Sequence, residues 1–136
     1  MNATPHRTIP DPDGLNADFY RHLARGQIHF QHCRDCSAVH HPPRYRCAAC
    51  GSAEFRWIAS SGLGRVFSWT VTHRPVDPGW ASEIPYATLV VEMDEGVRVV
   101  GALRGLPPAE LALDLHVTAE IEIVSKEFAF IHFRPV

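Results

Sequence analysis

The chain has 136 residues, of which 46% are hydrophobic and 21% charged, as expected for one globular domain or two very small ones. Its formal net charge is −2 and no apolar run is long enough to cross a membrane, which argues against a general nucleic-acid binder and a membrane protein. The N-terminal residues lack the apolar core of a secretory signal, so we expect a cytoplasmic protein.

The charges are unevenly distributed along the chain. Residues 31–65 carry a net charge of +3, whereas residues 75–124 carry −7. Lys126 is the only lysine, so nearly all the positive charge lies on arginine, which is the better residue for two-point contacts with phosphate. A GC-rich coding sequence also favours arginine, and composition alone leaves both explanations open.

The sequence divides into four parts. The first part is rich in proline and poor in apolar residues, which predicts a disordered or loosely attached tail. The four predicted parts are a tail at 1–14, a helix at 15–27, a zinc ribbon at 28–59 and a barrel at 60–136.

The helical part has a short amphipathic pattern. Phe19 and Leu23 share one face because they are four residues apart. Asn16 or Asp18 is expected to cap the helix, and Gly26 is expected to end it.

All four cysteines lie in one short stretch with the spacing C-x2-C-x10-C-x2-C, and they are Cys33, Cys36, Cys47 and Cys50. Each C-x2-C pair forms a tight knuckle, and two knuckles supply a tetrahedral set of thiolates for Zn²⁺. Two disulfides are the alternative, but a cytosolic location and the short spacing both argue against them. We therefore predict one structural zinc ion, since four cysteines leave no open position for catalysis.

The barrel part alternates apolar and polar residues with period two. On the first strand, Phe67, Trp69 and Val71 are expected to share one face. Residues 74–85 contain three prolines and a glycine, which predicts a loop without regular structure. Four further strands are predicted at 86–93, 97–103, 117–123 and 128–133. Five short strands favour an antiparallel OB-fold barrel, with an SH3-like barrel as the alternative.

No catalytic constellation is visible in the sequence. The chain has no G-x-S-x-G motif and no phosphate-binding loop, and its histidines are scattered. Trp80 lies in the proline-rich loop, where tryptophan is typical of an interface but also of an anchor folded back on the barrel. We therefore expect a chain that is not catalytic alone.

Several motifs in order carry a family resemblance. They are Cys33-Arg-Asp-Cys36, Pro42-Pro43, Cys47-x-x-Cys50-Gly-Ser52, Ser61-Gly-Leu-Gly64, Ser68-Trp-Thr-Val-Thr-His-Arg-Pro75, Pro78-Gly-Trp80 and Ile84-Pro-Tyr86. From about residue 15 onward the chain resembles the zinc-ribbon/OB-fold family known as domain of unknown function thirty-five. Two positions depart from that family, which often has glycine where this chain has Ser37 and Asp114.

The resemblance implies an N-terminal helix, a rubredoxin-like zinc ribbon and a five-stranded OB-fold barrel. It also implies an accessory subunit that binds a thiolase-fold acyl-CoA enzyme in a hetero-oligomer. Such partners include thiolases, acyltransferases and aldolases that remove steroid side chains by retro-aldol cleavage, and the catalytic residues normally belong to the partner. Steroid-derived CoA is the substrate that we favour, by association with the arginine-rich composition of steroid-degrading bacteria.

Candidate contacts follow from the residues and from this resemblance together. We expect contacts with CoA or the partner from Arg34, Arg44, Arg46, Arg65, Arg74, Trp80 and Tyr86. We expect a partner-facing helix surface made of Phe19, Tyr20 and Leu23. A nucleic-acid-binding module is the alternative, since zinc ribbons and OB-folds both serve in that role, but the acidic barrel disfavours it. A free-standing lyase or thioesterase is the least favoured hypothesis.

Overall fold

The structure is a computed structural model that describes residues 6–136, so residues 1–5 lie outside the described part of the chain. It contains one α-helix, α1, at Gly14–Leu23. The strands are β1 His29–Cys33, β2 Val39–His40, β3 Phe55–Ala59, β4 Leu63–Thr72, β5 Tyr86–Met93, β6 Arg98–Leu103, β7 His116–Ile123 and β8 Ala129–Pro135. Within residues 6–136, no helix is both long and apolar enough to cross a membrane.

The zinc ribbon is a three-stranded antiparallel sheet in the order β2–β1–β3. Strand β1 is central, and its register with β3 pairs His29 with Ala59 and Cys33 with Phe55. The same strand pairs Gln31 with His40 of β2. The first cysteine knuckle therefore begins at the end of the central strand.

The second sheet is a closed five-stranded barrel in the order β4–β5–β6–β8–β7. Strand β4 closes it by pairing with β5 along most of its length and with β7 near Gly64. Strands β6 and β8 run parallel, and the other neighbours are antiparallel. The predicted OB-fold barrel is confirmed, with every strand lying within a few residues of its predicted position.

One hydrophobic core joins the helix, the ribbon and the barrel. Leu23 of α1 and Phe30 of β1 are fully buried in the same cluster as Val66, Leu89 and Phe133 of the barrel. About thirty ribbon residues cannot bury a core of their own, so the ribbon gains apolar packing from the barrel as well as support from a metal. The molecule thus has two sheets that share a single core.

Strand β4 departs from the predicted alternation. A β-bulge between Val66 and Ser68 puts Val66 fully inside the barrel and leaves Phe67 44% exposed. The prediction that Phe67 shares an inward face with Trp69 is therefore wrong, because a bulge shifts the side-chain alternation by one residue. The Phe67 ring instead lies beneath the guanidinium of Arg98, whose Cζ is 3.7 Å from the ring centroid.

Two local predictions about caps and loops also need correction. Helix α1 begins at Gly14, and Asp13 rather than Asn16 or Asp18 occupies the N-cap position. The proline-rich loop contains a short 3-10 helix at Pro78–Glu83. This helix forms because proline is tolerated in a first helical turn and because the Asp77 side chain accepts a hydrogen bond from the backbone N–H of Gly79.

The described part of the predicted tail contacts the barrel. The Arg7 side chain donates to Glu83 Oε1 at 2.7 Å and to Glu122 Oε1 at 2.9 Å. The backbone N–H of Thr8 donates to Asp77 Oδ2 at 2.7 Å. The loose attachment predicted for residues 1–14 is therefore not found at these two residues.

Candidate metal centre and arginine clamp

Two matching knuckles build the cysteine centre. In the first, the backbone N–H of Ser37 donates to the carbonyl of Cys33 at 3.0 Å, and in the second that of Gly51 donates to the carbonyl of Cys47 at 2.8 Å. Each knuckle ends in a residue with left-handed backbone, Ser37 at φ 66° and Gly51 at φ 79°. Glycine adopts this conformation freely, whereas other residues pay roughly 1 kcal/mol. The family's frequent glycine thus coincides with a position where this chain has a strained serine.

The four sulfur atoms fit one tetrahedral ion. All four lie within 4.8 Å of one another, with Cys33 Sγ 3.6 Å from Cys50 Sγ and Cys36 Sγ 3.5 Å from Cys47 Sγ. A zinc ion with four Zn–S bonds of about 2.3 Å requires sulfur separations of about 3.8 Å, close to these values. The prediction of a four-cysteine zinc site is therefore confirmed, and its closed ligand set makes the zinc structural.

His40 supports the metal centre from strand β2. Its Nε2 lies 3.1 Å from Cys47 Sγ, and its ring packs edge-on against Phe55. This hydrogen bond is the main cause that lowers the pKa of Cys47 to about 5. A donor on a zinc-bound sulfur orients the ligand and offsets part of the negative charge of four thiolates. From the sequence, His40 is expected near the site, either beside a metal ligand or on the surface. The β1–β2 pairing brings it to the sulfur.

The arginines predicted to meet CoA or a partner do not form one cluster of equivalent charges. Arg34, Arg44 and Arg46 are exposed on the ribbon, close in sequence to the cysteines. Arg65 is also exposed, but its charge is shared with Glu92 at 3.6 Å and Asp114 at 3.9 Å.

Of this predicted set, the ribbon arginines are therefore the most available to an anion. Arg74 is exposed in the loop that follows β4.

The structure brings Trp80 and Tyr86 together. Their ring centroids are 5.3 Å apart, and Trp80 also meets Phe130 edge-on. These rings border a cavity of about 250 Å³ on the outer side of the barrel, which is also lined by Tyr20, Phe128 and His132. Trp80 is thus an anchor on the barrel and part of a cavity wall at the same time.

The predicted partner-facing helix surface is wrong for two of its three residues. Phe19 is 4% exposed and Leu23 is 0% exposed, because both fill the core of this same chain. Tyr20 is half-buried and stacks on Phe128 with ring centroids 4.7 Å apart. Only Tyr20 therefore remains a candidate for contact with another molecule.

An ion-pair network around Arg7 was not predicted from the sequence. The Arg7 guanidinium lies between Glu83 and Glu122, and its Cζ is 3.9 Å from the Trp80 ring centroid and 5.6 Å from that of Phe130. We call the four receiving residues, Glu83, Glu122, Trp80 and Phe130, the arginine clamp. Positions 76 and 115 residues apart meet here, so no local sequence pattern could have indicated the contact.

His41 is a half-buried histidine beside the shared core. Its ring lies 4.9 Å from that of Phe19 and 5.5 Å from that of Phe30, and its Nδ1 has no hydrogen-bond partner among the described residues. Burial lowers its pKa to about 4 from an ordinary 6.5. Between these values the unfolded chain binds a proton and the native chain does not, so the stability of the fold decreases as pH falls through this window.

We expect His41→Phe to remove this pH dependence. At pH 4.5 the wild-type chain should have lost roughly 2 to 3 kcal/mol of its pH 7 stability through this residue, and the variant should keep that part. Urea unfolding of the zinc-loaded chains at pH 7, 5.5 and 4.5 measures the difference in stability between the variant and the wild type. Competition between protons and zinc for the cysteines affects both chains equally and cancels in this difference. His73→Phe, at an exposed histidine, is the control and should follow the wild type. Parallel pH curves for His41→Phe and wild type would contradict the assignment.

The ribbon sheet, the four-cysteine centre and the closed barrel together define a zinc-ribbon/OB-fold protein. Residues 21–56 match the family described as "ChsH2, rubredoxin-like zinc ribbon domain", and residues 57–122 match "ChsH2, C-terminal OB-fold domain". The chain therefore belongs to the ChsH2-type zinc-ribbon/OB-fold family, and several of its relatives carry the name DUF35.

Similar proteins of known name include enzyme subunits and scaffold proteins. The chain is 34% identical over 80% of its length to the "3-oxo-4,17-pregnadiene-20-carboxyl-CoA hydratase alpha subunit" of Mycobacterium tuberculosis, covering 37% of that protein. It is 32% identical over 88% of its length to a "probable enoyl-CoA hydratase alpha subunit" of Thermomonospora curvata, also covering 37%. The chain thus spans little more than a third of these two relatives. A "DUF35 domain-containing scaffold protein" of Methanocaldococcus jannaschii is 29% identical over 70% of the chain and 67% of that protein.

Solved structures show the same architecture. A chain of the structure described as "Ltp2-ChsH2(DUF35) aldolase" superposes with a TM-score of 0.84 and 31% identity, covering 93% of this chain and 98% of that one. A DUF35 protein of unknown function from Sulfolobus solfataricus superposes with a TM-score of 0.61 at 14% identity over 88% of this chain and 83% of that one, which shows the fold alone.

Proposed function

We propose that this protein is a non-catalytic accessory subunit that binds a thiolase-fold acyl-CoA enzyme and helps to bind or channel its CoA thioester. The observation that carries the proposal is the likeness over almost the whole of both chains to a chain of the Ltp2-ChsH2 aldolase structure. The hydratase alpha subunits and scaffold proteins among its relatives support an accessory role. A steroid-derived CoA thioester is the substrate class that the mycobacterial relative supports.

The chemistry of the chain agrees with a role that leaves catalysis to a partner. The four cysteines form a closed metal site, and the Cys47–His40 pair belongs to it, so these groups serve binding rather than bond breaking. The chain's four cysteines form no disulfide and are placed as metal ligands, which fits the reducing cytosol where we place the complex. The exposed ribbon arginines supply the charges for the phosphates of CoA.

The first experiment tests the complex itself. The chain is co-expressed with the thiolase-fold enzyme encoded nearest to it and purified by a tag on this chain. We expect a stoichiometric complex with acyl-CoA activity and no activity from this chain alone. Failure to capture that enzyme, together with salt-sensitive binding of DNA or RNA, would refute the proposal in favour of the nucleic-acid module.

The second experiment tests the ribbon arginines. We expect Arg44→Gln with Arg46→Gln to raise the KM of the complex for its CoA thioester by roughly tenfold or more, since each lost charge-assisted hydrogen bond costs about 1.5 to 3 kcal/mol. The matched control removes the same charge elsewhere, at exposed Arg25 and Arg98. Equal KM values for the ribbon pair and the control pair would show that the ribbon does not receive CoA.

A further inference from the structure

The arginine clamp is a built site rather than a chance surface contact. Arg7 Nη2 donates to Glu83 Oε1 at 2.7 Å, and Arg7 Nη1 donates to both Glu122 oxygens at 2.9 and 3.0 Å. Its guanidinium lies over the Trp80 ring at 3.9 Å. A planar cation held by two carboxylates and an aromatic face is the arrangement that arginine, with its fixed fork of donors, fits better than lysine.

Arg104 and His132 hold the carboxylates of Glu83 and Glu122 in position. Arg104 Nη2 donates to both Glu83 oxygens at 3.2 and 3.3 Å. His132, which is 2% exposed, places its Nε2 2.7 Å from Glu122 Oε1. Burial lowers the pKa of His132, so its ring donates as the neutral form. Burial opposes ionisation of Glu122, but hydrogen bonds from His132 and Arg7 outweigh it and lower the pKa of that carboxyl. Both carboxylates are therefore held in position, and Glu122 stays charged.

Two residues next to the clamp, Asp77 and Gly79, contact the backbone of the same segment. Asp77 Oδ2 accepts the N–H of Thr8 at 2.7 Å. Gly79 lets the chain approach so closely that a Cβ placed there would lie 2.3 Å from the backbone nitrogen of Arg7. A site that reads a guanidinium and the adjacent peptide bond is a site for a peptide segment, not for a free ion.

The occupant lies outside the domains that define the family. The matched domains begin at residue 21, whereas the segment in the clamp is residues 6–9. Glu122 and Phe130 lie on barrel strands β7 and β8, Trp80 and Glu83 lie in the 3-10 helix between β4 and β5, and Trp80 and Phe130 also border the aromatic cavity. The barrel thus presents a receiving site, and a segment added in front of the ribbon fills it.

We propose that the arginine clamp is a docking site for an arginine-bearing segment of the partner enzyme, and that residues 6–9 of this chain occupy it until the partner binds. The proposal rests on the proposed accessory function. The charge of the surrounding chain supports a partner's basic segment, since residues 75–124 carry −7. The segment at residues 6–9 is then an internal competitor, and its removal should favour the complex.

The first test needs no partner. A fluorescent peptide with the sequence of residues 6–14 is titrated with the wild-type chain and with Arg7→Ala, and binding is followed by anisotropy. We expect the Arg7→Ala chain to bind the peptide at least about tenfold more tightly than the wild type, because its clamp lacks a guanidinium. A peptide with alanine in place of the arginine should not bind, and Glu122→Gln in the Arg7→Ala chain should abolish binding. Equal affinity of the peptide for the two chains would overturn the proposal that another arginine can replace Arg7 in the clamp.

The second test uses the complex. We expect Arg7→Ala to lower the dissociation constant for the partner enzyme by about tenfold, and the added Glu122→Gln to reverse this gain. Arg7→Lys keeps the charge and should give an intermediate value. Zinc content and circular dichroism confirm that each variant is folded.

The outcomes distinguish failure of the proposed docking site from failure of the proposed accessory function. A partner that binds with the same affinity to wild type and Arg7→Ala would overturn the docking site and leave the accessory function standing. A dimer of Arg7→Ala in sedimentation velocity would overturn the partner as occupant and make it a second copy. A chain that captures no partner either as wild type or as Arg7→Ala, and that binds DNA or RNA in a salt-sensitive manner, would refute the accessory function, while the peptide titration would still decide whether the clamp exchanges its arginine.

Discussion

Cys33→Ser is expected to abolish the zinc site and unfold the whole chain rather than the ribbon alone. Structural zinc contributes about 10 to 16 kcal/mol in small zinc domains, which equals or exceeds the roughly 5 to 15 kcal/mol net stability of a typical fold. The barrel should follow because Phe30 and Ile28 of the ribbon belong to the same core as the barrel residues. Zinc content by mass spectrometry and a thermal melt by circular dichroism measure the two effects.

Ala48→Ser is the matched control for this substitution. Ala48 lies between Cys47 and Cys50 and is exposed, so the same hydroxyl is added to the loop without removal of a ligand. We expect one zinc per chain and a wild-type melt. If Cys33→Ser also kept one zinc per chain and the wild-type melting temperature, the four-cysteine assignment would be wrong.

Phe30→Ala is expected to have the second-largest effect. Its side chain is fully buried where the helix, the ribbon and the barrel meet, and deletion of a buried phenylalanine costs about 3 to 5 kcal/mol. Phe67→Ala is the same chemical change at a residue that is 44% exposed, so we expect a loss of less than about 1 kcal/mol from its contact with Arg98. Urea unfolding of the zinc-loaded chains gives both values, and losses of equal size would contradict the exposed position that the bulge gives to Phe67.

The parts of the fold that were predicted correctly depend on local patterns. The cysteine spacing fixes the geometry of each knuckle, and period-two alternation marks each barrel strand. The alternation failed at Phe67, because a single added residue in a bulge leaves no sign in the apolar pattern.

The two departures from the family's glycines became interpretable only in the structure. Ser37 and Asp114 are the two non-glycine residues with positive φ between residues 6 and 136. Asp114 also contributes a carboxylate 3.9 Å from Arg65, whereas no comparable contact explains Ser37. The family resemblance implies where glycine is usual, and the backbone conformation supplies the reason.

The candidate site was predicted only in part, for the same physical reason. The metal ligands are neighbours in sequence, so they could be identified, and the proximity of Trp80 and Tyr86 follows from one short loop. The arginine clamp joins the N-terminal segment to two distant places in the barrel, and the burial of Phe19 and Leu23 depends on what the helix packs against. Such contacts follow from tertiary packing, which a single sequence does not display.

The shared core has a thermodynamic consequence for zinc and for the proposed partner. Because the ribbon and the barrel are packed on one set of side chains, zinc in the ribbon and the proposed partner on the barrel would both favour the same folded state. Linkage is reciprocal, so a partner that stabilises the folded barrel also stabilises the zinc-bound state. Its binding should therefore slow the loss of zinc to a chelator. The rate at which a chelator removes the metal is therefore a direct reporter of whether the subunit is assembled.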